Sequence, residues 1–165
     1  MWTRRAALAL LVGALLVGAA AGAETAVDAV VVRKAKREMV LMGGGDVVRR
    51  YRIALGREPV GAKRRQGDGK TPEGEYTITG RNRWSSYHRS LRISYPNAVD
   101  RERARRERVA PGGDIMIHGL PNGRGNLGAL HTKWDWTEGC IAVTNEEIEE
   151  IWRMVADGTP LRIEP

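Results

Sequence analysis

WTEGCIAVTNEEIEEIW, residues 136–152, holds the only cysteine of the 165-residue chain, Cys140, between a glycine and an aliphatic run. The clearest helix of the sequence follows at once. Thr144 or Asn145 can cap it, and Thr144 with Glu147 has capping-box spacing. Ile148, Ile151, Trp152 and Val155 fall at i, i+3, i+4 and i+7, an apolar stripe on one face. Gly158 stops this helix, Pro160 prevents its resumption, and Leu161–Ile163 reads as a last strand. The single thiol therefore stands just upstream of a helix N-terminus, a place that favours thiolate.

Upstream of this junction the pattern is that of strands. AVDAVVV, REMVLM and VVRRYRIALG are separated by a charged turn at Lys34–Lys36 and by Gly43-Gly44-Gly45-Asp46, which suits a hairpin. Tyr51, Ile53 and Leu55 alternate with Arg50, Arg52 and Ala54, so one face of that strand is apolar. A glycine-rich loop then enters a strand at Tyr76–Thr79, where Tyr76 reads as core. From Arg81 to Gly113 the sequence is polar and irregular, with a short helix expected over Asp100–Val109. IMIHG, residues 115–119, is a short apolar strand ending on His118, and a glycine-rich loop leads from there to the cysteine. These elements predict one mainly β domain with one clear helix after the cysteine and a short helix in the loop region.

Composition bounds the setting. Residues 2–5, WTRR, precede an apolar run rich in Ala and Leu that ends in Ala21-Gly22-Ala23, the small-x-small pattern of signal-peptide cleavage. Residues 1–23 are read as an export signal rather than a membrane anchor, because the run is short of the ~20 apolar residues of a span and is broken by glycines. The domain then occupies residues 24–165, with no stable membrane span after cleavage, in the periplasm or cell envelope. Without Arg4 and Arg5 the net charge of +7 becomes +5, and Arg81–Arg108 carries nine arginines against three acids. Such a segment is either a contact for an anionic envelope polymer or membrane surface, or a solvated arginine-rich loop. Nucleic acid is not expected as a partner of an exported protein.

In an oxidising compartment a lone cysteine is a buried structural residue, an intermolecular bridge or a reactive nucleophile. A histidine that accepts its proton would give an ion pair acting as nucleophile and base. Of His88, His118 and His131, the favoured base is His118, which ends an apolar strand and precedes Gly119, where another backbone or a substrate can approach.

The order IHG…TEGCIAVTN resembles the L,D-transpeptidase catalytic domain family (YkuD-like). The signature positions are His118, Thr137, Glu138, Gly139, Cys140, Ile141 and Asn145, and the TPEGEY and PGGDIMIHG segments extend the likeness over the whole domain. The resemblance implies a β-sandwich-like fold with the cysteine in a cleft, acting on peptidoglycan stem peptides without a cofactor. Cys140 would form a thioester, His118 would move the proton, and the Gly119 carbonyl would orient the imidazole. The N–H groups of Gly139 and Cys140 would hold the oxyanion, with the Thr137 hydroxyl supporting the loop. Asn145 is expected to cap the helix rather than to touch substrate.

Two positions depart from the family pattern: Glu138 replaces a second histidine and Ala142 an arginine. Glu138 would raise the thiol pKa unless it points away or pairs with a cation such as Lys133. His118 and Cys140 lie 22 positions apart, and the intervening segment, with Trp134 and Trp136, forms either a rim over the cleft or ordinary packing. His131 is open between a second active-site imidazole and a loop residue. The DWTxGCIAVTN-type core also resembles a short exported branch in which the same thioester is hydrolysed, releasing peptidoglycan-linked lipoprotein. Two readings of other classes compete. One is a zinc site from His88, His118, His131 and Cys140, disfavoured because none of the four forms a tight ligand pair. The other is a non-catalytic envelope-binding module with Cys140 buried.

Overall fold

A computed structural model describes residues 26–165. The reading of residues 1–23 as an export signal lies outside these described residues. Three strands open the domain: β1 (Ala29–Arg33), β2 (Glu38–Gly43) and β3 (Asp46–Arg52) form an antiparallel meander. Gly44 and Gly45 turn the β2–β3 hairpin at positive φ, as the glycine run predicts. The long β4 (Gly74–Ser85) and β5 (His88–Ile93) form a second hairpin. Helix α1 (Ala98–Glu107) follows, then β6 (Met116–His118), β7 (Ile141–Ala142), α2 (Asn145–Met154) and β8 (Pro160–Glu164). The strand order is β3-β2-β1-β8-β4-β5-β6-β7, so β8 runs parallel to β1 and antiparallel to β4 in the middle of the sheet.

Two features turn this sheet into a near-closed layer around one core. The register of β4 shifts after Ile78, where the strand stops pairing with β8 and continues along β5. At the far edges, the chain just past β3 bonds back to the β7 side: Ala54 and Ala142 exchange N–H···O bonds of 3.0 and 2.9 Å, and Thr137 bridges Leu55 and Arg57. Closing the edges in this way removes unpaired backbone groups from both. The enclosed core includes Val30, Val32, Leu41, Ile53, Ile78, Leu91, Ile117, Ile141, Leu161 and Ile163, sealed by Ile148, Ile151 and Val155 of α2.

Both long helices start on a capping box. Asn97 with Asp100 begins α1, two residues ahead of the expected Asp100 start, and Thr144 with Glu147 begins α2. The expected irregular segment Arg81–Gly113 is largely regular: it holds the β4–β5 hairpin and α1. Its arginines are therefore spread over separate elements, and many are engaged within the chain. Arg81 bonds Asp157 and the Trp152 carbonyl, Arg89 bonds Glu149, Arg92 bonds Asp114, and Arg103 bonds Asp100. Arg81 and Arg89 also lie over the Trp152 ring. A single arginine-rich loop is not what forms.

Because β8 joins the two halves of the sheet, its apolar residues are bonded on both sides. Leu161→Ala removes a fully buried side chain and should lower unfolding free energy by about 2–5 kcal/mol, read as a reduced urea midpoint with the denaturant slope unchanged.

Candidate active site

The parallel pairing of β6 and β7 brings His118 and Cys140 to one region of the sheet. The register pairs Ile117 with Ile141 and His118 with Ala142. Ile117 and Ile141 both point into the core, so alternation sends Met116, His118, Cys140 and Ala142 to the other face. Cys140, one residue before β7, thus stands beside Met116, and the Met116 N–H supports its sulfur. The Sγ also lies 3.5 Å from the Asp114 carbonyl oxygen.

The imidazole of His118 is 3% exposed and is held by one short bond, Nδ1 to the Gly119 carbonyl oxygen at 2.7 Å. A carbonyl only accepts, so Nδ1 carries the proton and Nε2 of the neutral ring is left as the base. Tyr87 packs on this ring with centroids 4.4 Å apart, and Trp136 meets it edge-on at 5.8 Å. The space around Gly119 is as tight as its sequence position implies: a Cβ there would sit 2.8 Å from Asn145 Oδ1. Asn145 does not cap α2, since Thr144 does; its Oδ1 accepts from the Leu120 N–H at 2.9 Å and ties the histidine loop to the helix.

The cysteine loop is built around Thr137. Its buried hydroxyl donates to the Cys140 carbonyl at 2.8 Å and accepts from the Gly139 N–H at 3.1 Å. Asp135 anchors the start of the loop through a two-pronged bond from Arg37 and a bond from the Leu55 N–H. Gly139 has φ +132°, and a Cβ would come within 2.5 Å of the Lys70 carbonyl oxygen. Its role in this structure is close approach. Its N–H, which the family resemblance assigns to an oxyanion hole, bonds the Thr137 hydroxyl in this structure.

Glu138 pairs with Arg57, not with the expected Lys133. Both side chains are exposed, and Glu138 does not figure among the charges acting on the thiol. Burial pushes the Cys140 thiol up, helped by the Asp114 carboxylate and opposed by the Met116 N–H and Lys63. Burial likewise lowers His118 from its ordinary 6.5 to about 4, against the favourable Gly119 bond and with a further push from His131. Taking both groups out of water favours the uncharged form of each.

Two hollows are lined by neighbours of these residues, one by Trp136 beside His118 and one by Asp114 beside Cys140. One of about 380 Å³ is walled by Pro121, Leu127, Trp134 and Trp136, with His131 and Arg124. It is shaped by short 3-10 turns across Gly125–Lys133, a segment expected to be loop. Trp134 is half exposed, and both tryptophans form walls of this hollow. The other, of about 430 Å³, is lined by polar backbone and by Lys63, Asp114 and Glu138. His88 bonds Glu149 at 2.8 Å, and among the described residues no three His, Cys, Asp or Glu side chains converge to hold a metal. Tyr87 and Asp114 complete the surroundings; Tyr87, in the β4–β5 turn, lies outside every motif, and Asp114, at a positive-φ bend, stands within PGGDIMIHG with nothing to single it out.

The family model of the L,D-transpeptidase catalytic domain (YkuD) matches residues 27–163, and the chain belongs to that family. Over 109 residues it is 35% identical to YafK of Escherichia coli strain K12, itself named as a candidate L,D-transpeptidase, covering 64% of this chain and 36% of YafK. The crystal structure of the helical cell shape determining protein Pgp2 from Campylobacter jejuni superposes with a TM-score of 0.62 at 27% identity, covering 84% of this chain and 47% of that one. An L,D-transpeptidase from Mycobacterium smegmatis shares the fold at 14% identity and a TM-score of 0.55, covering 87% of this chain and 60% of that one. The chain spans about a third of the length of YafK and about half that of Pgp2. No helix among the described residues is long and apolar enough to cross a membrane.

Two outcomes follow from this geometry. Thr137→Val leaves the buried Gly139 N–H without its acceptor and should cost about 1–3 kcal/mol in unfolding free energy, whereas Thr137→Ser should retain most of it; urea midpoints measure both. Between pH 6.5 and 4 the unfolded chain protonates this imidazole while the folded chain keeps it neutral. The unfolded state then binds more protons, so stability falls as pH drops through that window, by roughly 3 kcal/mol for His118. Burial of His131 acts in the same direction. His118→Gln should flatten the slope, and ring NMR should place His118 titration near pH 4.

Proposed function

We propose that this chain is a cysteine-dependent L,D-transpeptidase that acts on peptidoglycan stem peptides through a thioester on Cys140. The observation that carries the reading is the committed tautomer of His118: with Nδ1–H given to Gly119, Nε2 is the acceptor on the face it shares with the thiol. Substrate arrival places a carbonyl carbon against Sγ. The thiol proton passes to Nε2 as the C–S bond forms, so neither partner carries charge before the attack. The tetrahedral oxyanion then collapses, the C–N bond of the donor peptide breaks, and the His118 imidazolium returns its proton to the leaving amine. In the second half the acceptor amine attacks the thioester carbonyl, His118 takes its proton, and the thiolate leaves and is reprotonated. With the Gly139 N–H occupied by Thr137, the Cys140 N–H is the backbone donor left to the oxyanion in this scheme.

The two separate hollows, one reached through Trp136 and one through Asp114, support an acceptor that is itself a peptide: one takes the acyl donor and the other the amine. The proposal sets this chemistry in the periplasm or cell envelope, with residues 1–23 as the export signal. Pgp2 is a helical cell shape determining protein, and cell-wall remodelling is the natural context of the proposed activity.

The test is mass spectrometry of peptidoglycan carrying covalently attached lipoprotein, incubated with the protein or with Cys140→Ala. Cross-linked or exchanged stem peptides and a protein mass increased by the acyl group, both absent with the variant, are expected. Released lipoprotein without new cross-links would replace the transferase by the hydrolase of the same chemistry. An unchanged substrate with both proteins would sink the enzyme reading. His118→Gln should slow acylation at least about 100-fold.

A further inference from the structure

Two polar groups beside the His118–Cys140 pair are buried without any bond that would explain them. His131 is 1% exposed, and neither ring nitrogen has a hydrogen-bond partner among the described residues. The Trp136 indole N–H is buried and unpartnered in the same sense. Leaving such groups unpaired is unfavourable, and a phenylalanine would fill the same apolar volume without that cost. Both rings line the 380 Å³ hollow and meet edge-to-face at 6.4 Å. Arg124 stands at its rim, exposed, and its guanidinium pairs with no described carboxylate.

The lining has a definite chemistry. Its other walls are Pro121, Leu127 and Trp134, and no acidic side chain faces it. A guanidinium, an indole N–H and one imidazole N–H all donate. Donors on apolar walls, with a fixed positive charge at the mouth, match a carboxylate. Trp136 also meets the His118 ring edge-on with centroids 5.8 Å apart, so one wall of the hollow is shared with the surroundings of the base. We propose that this hollow is the subsite for a free carboxylate of the peptide whose carbonyl Cys140 attacks, recognised by Arg124, the Trp136 N–H and His131. The inference rests on the function proposed above and deepens it.

Seating an anion there also acts on the base. His131 already pushes electrostatically on His118. A carboxylate against His131 reverses the sign of that influence and favours the protonated form of both rings. Substrate binding thus makes His118 a stronger base at the moment one is needed.

The experiment uses Cys140→Ala protein, checked for folding by circular dichroism, with histidine-labelled rings observed by NMR. A synthetic stem tetrapeptide is titrated as the free acid and as analogues in which one carboxylate at a time is a carboxamide, so that the terminal and side carboxylates are distinguished. One analogue should bind about tenfold more weakly than the free acid, and only peptides that keep that carboxylate should shift the His131 ring signals and raise its pKa. Arg124→Gln, at an exposed site, and His131→Phe should each abolish the preference. Equal affinities for all analogues, or a preference that survives both replacements, would overturn the subsite. If the rings stay unmoved while unaltered protein still forms the Cys140 acyl adduct, the subsite fails and the cysteine chemistry stands. If that adduct is also missing, both fall together.

Discussion

Four backbone hydrogen bonds between residues 54–57 and 137–142 hold this molecule's two edges together. On one side they continue β3; on the other they are the cysteine loop itself. The same contacts close the sheet and fix where Cys140 begins, so fold and site share one support. Asp135 reinforces it by reaching Arg37 in the β1–β2 turn and the Leu55 N–H. A loop held at so many backbone points keeps the thiol in register with His118 across β6 and β7, which pre-organised catalysis requires.

That closeness has an electrostatic side. Packing the loop against Lys70 and Ile115 leaves room only for glycine at 139, and the aromatic cover of Tyr87 and Trp136 dries His118. A dry site weakens the ion pair that cysteine and histidine form in more open settings, and it strengthens any charge that a ligand brings with it. The disfavoured charged forms of His118 and Cys140 and the unpartnered donors of the adjacent hollow share one cause, burial.

What was legible in the sequence was local. The α2 cap and stripe, the glycine hairpin and the strand ending on His118 each depend on residues within a turn or two of one another, and the mainly β class follows from them. The β4–β5 hairpin was not legible, because Arg81–Trp84 are all exposed and show no alternation, and Ser86-Tyr87 is a weak turn signal. Partners far along the chain were equally hidden. Nothing near Glu138 announces Arg57, and nothing near Thr137 says that its hydroxyl would claim the Gly139 N–H instead of leaving it to an oxyanion. His131 could be singled out as an imidazole, but only burial without a partner gives it meaning.

The position of β8 bears on how the domain is made. The strand that comes last in chain order lies at the centre of the sheet, between the first strand and the fourth. Until it arrives, β1 and β4 each present an open edge, and every contact that closes the middle spans most of the domain. Such non-local topologies fold slowly and expose pairing surfaces meanwhile. A chain emerging end-first from a ribosome or a secretion channel therefore stays unable to complete this sheet until its final segment is through.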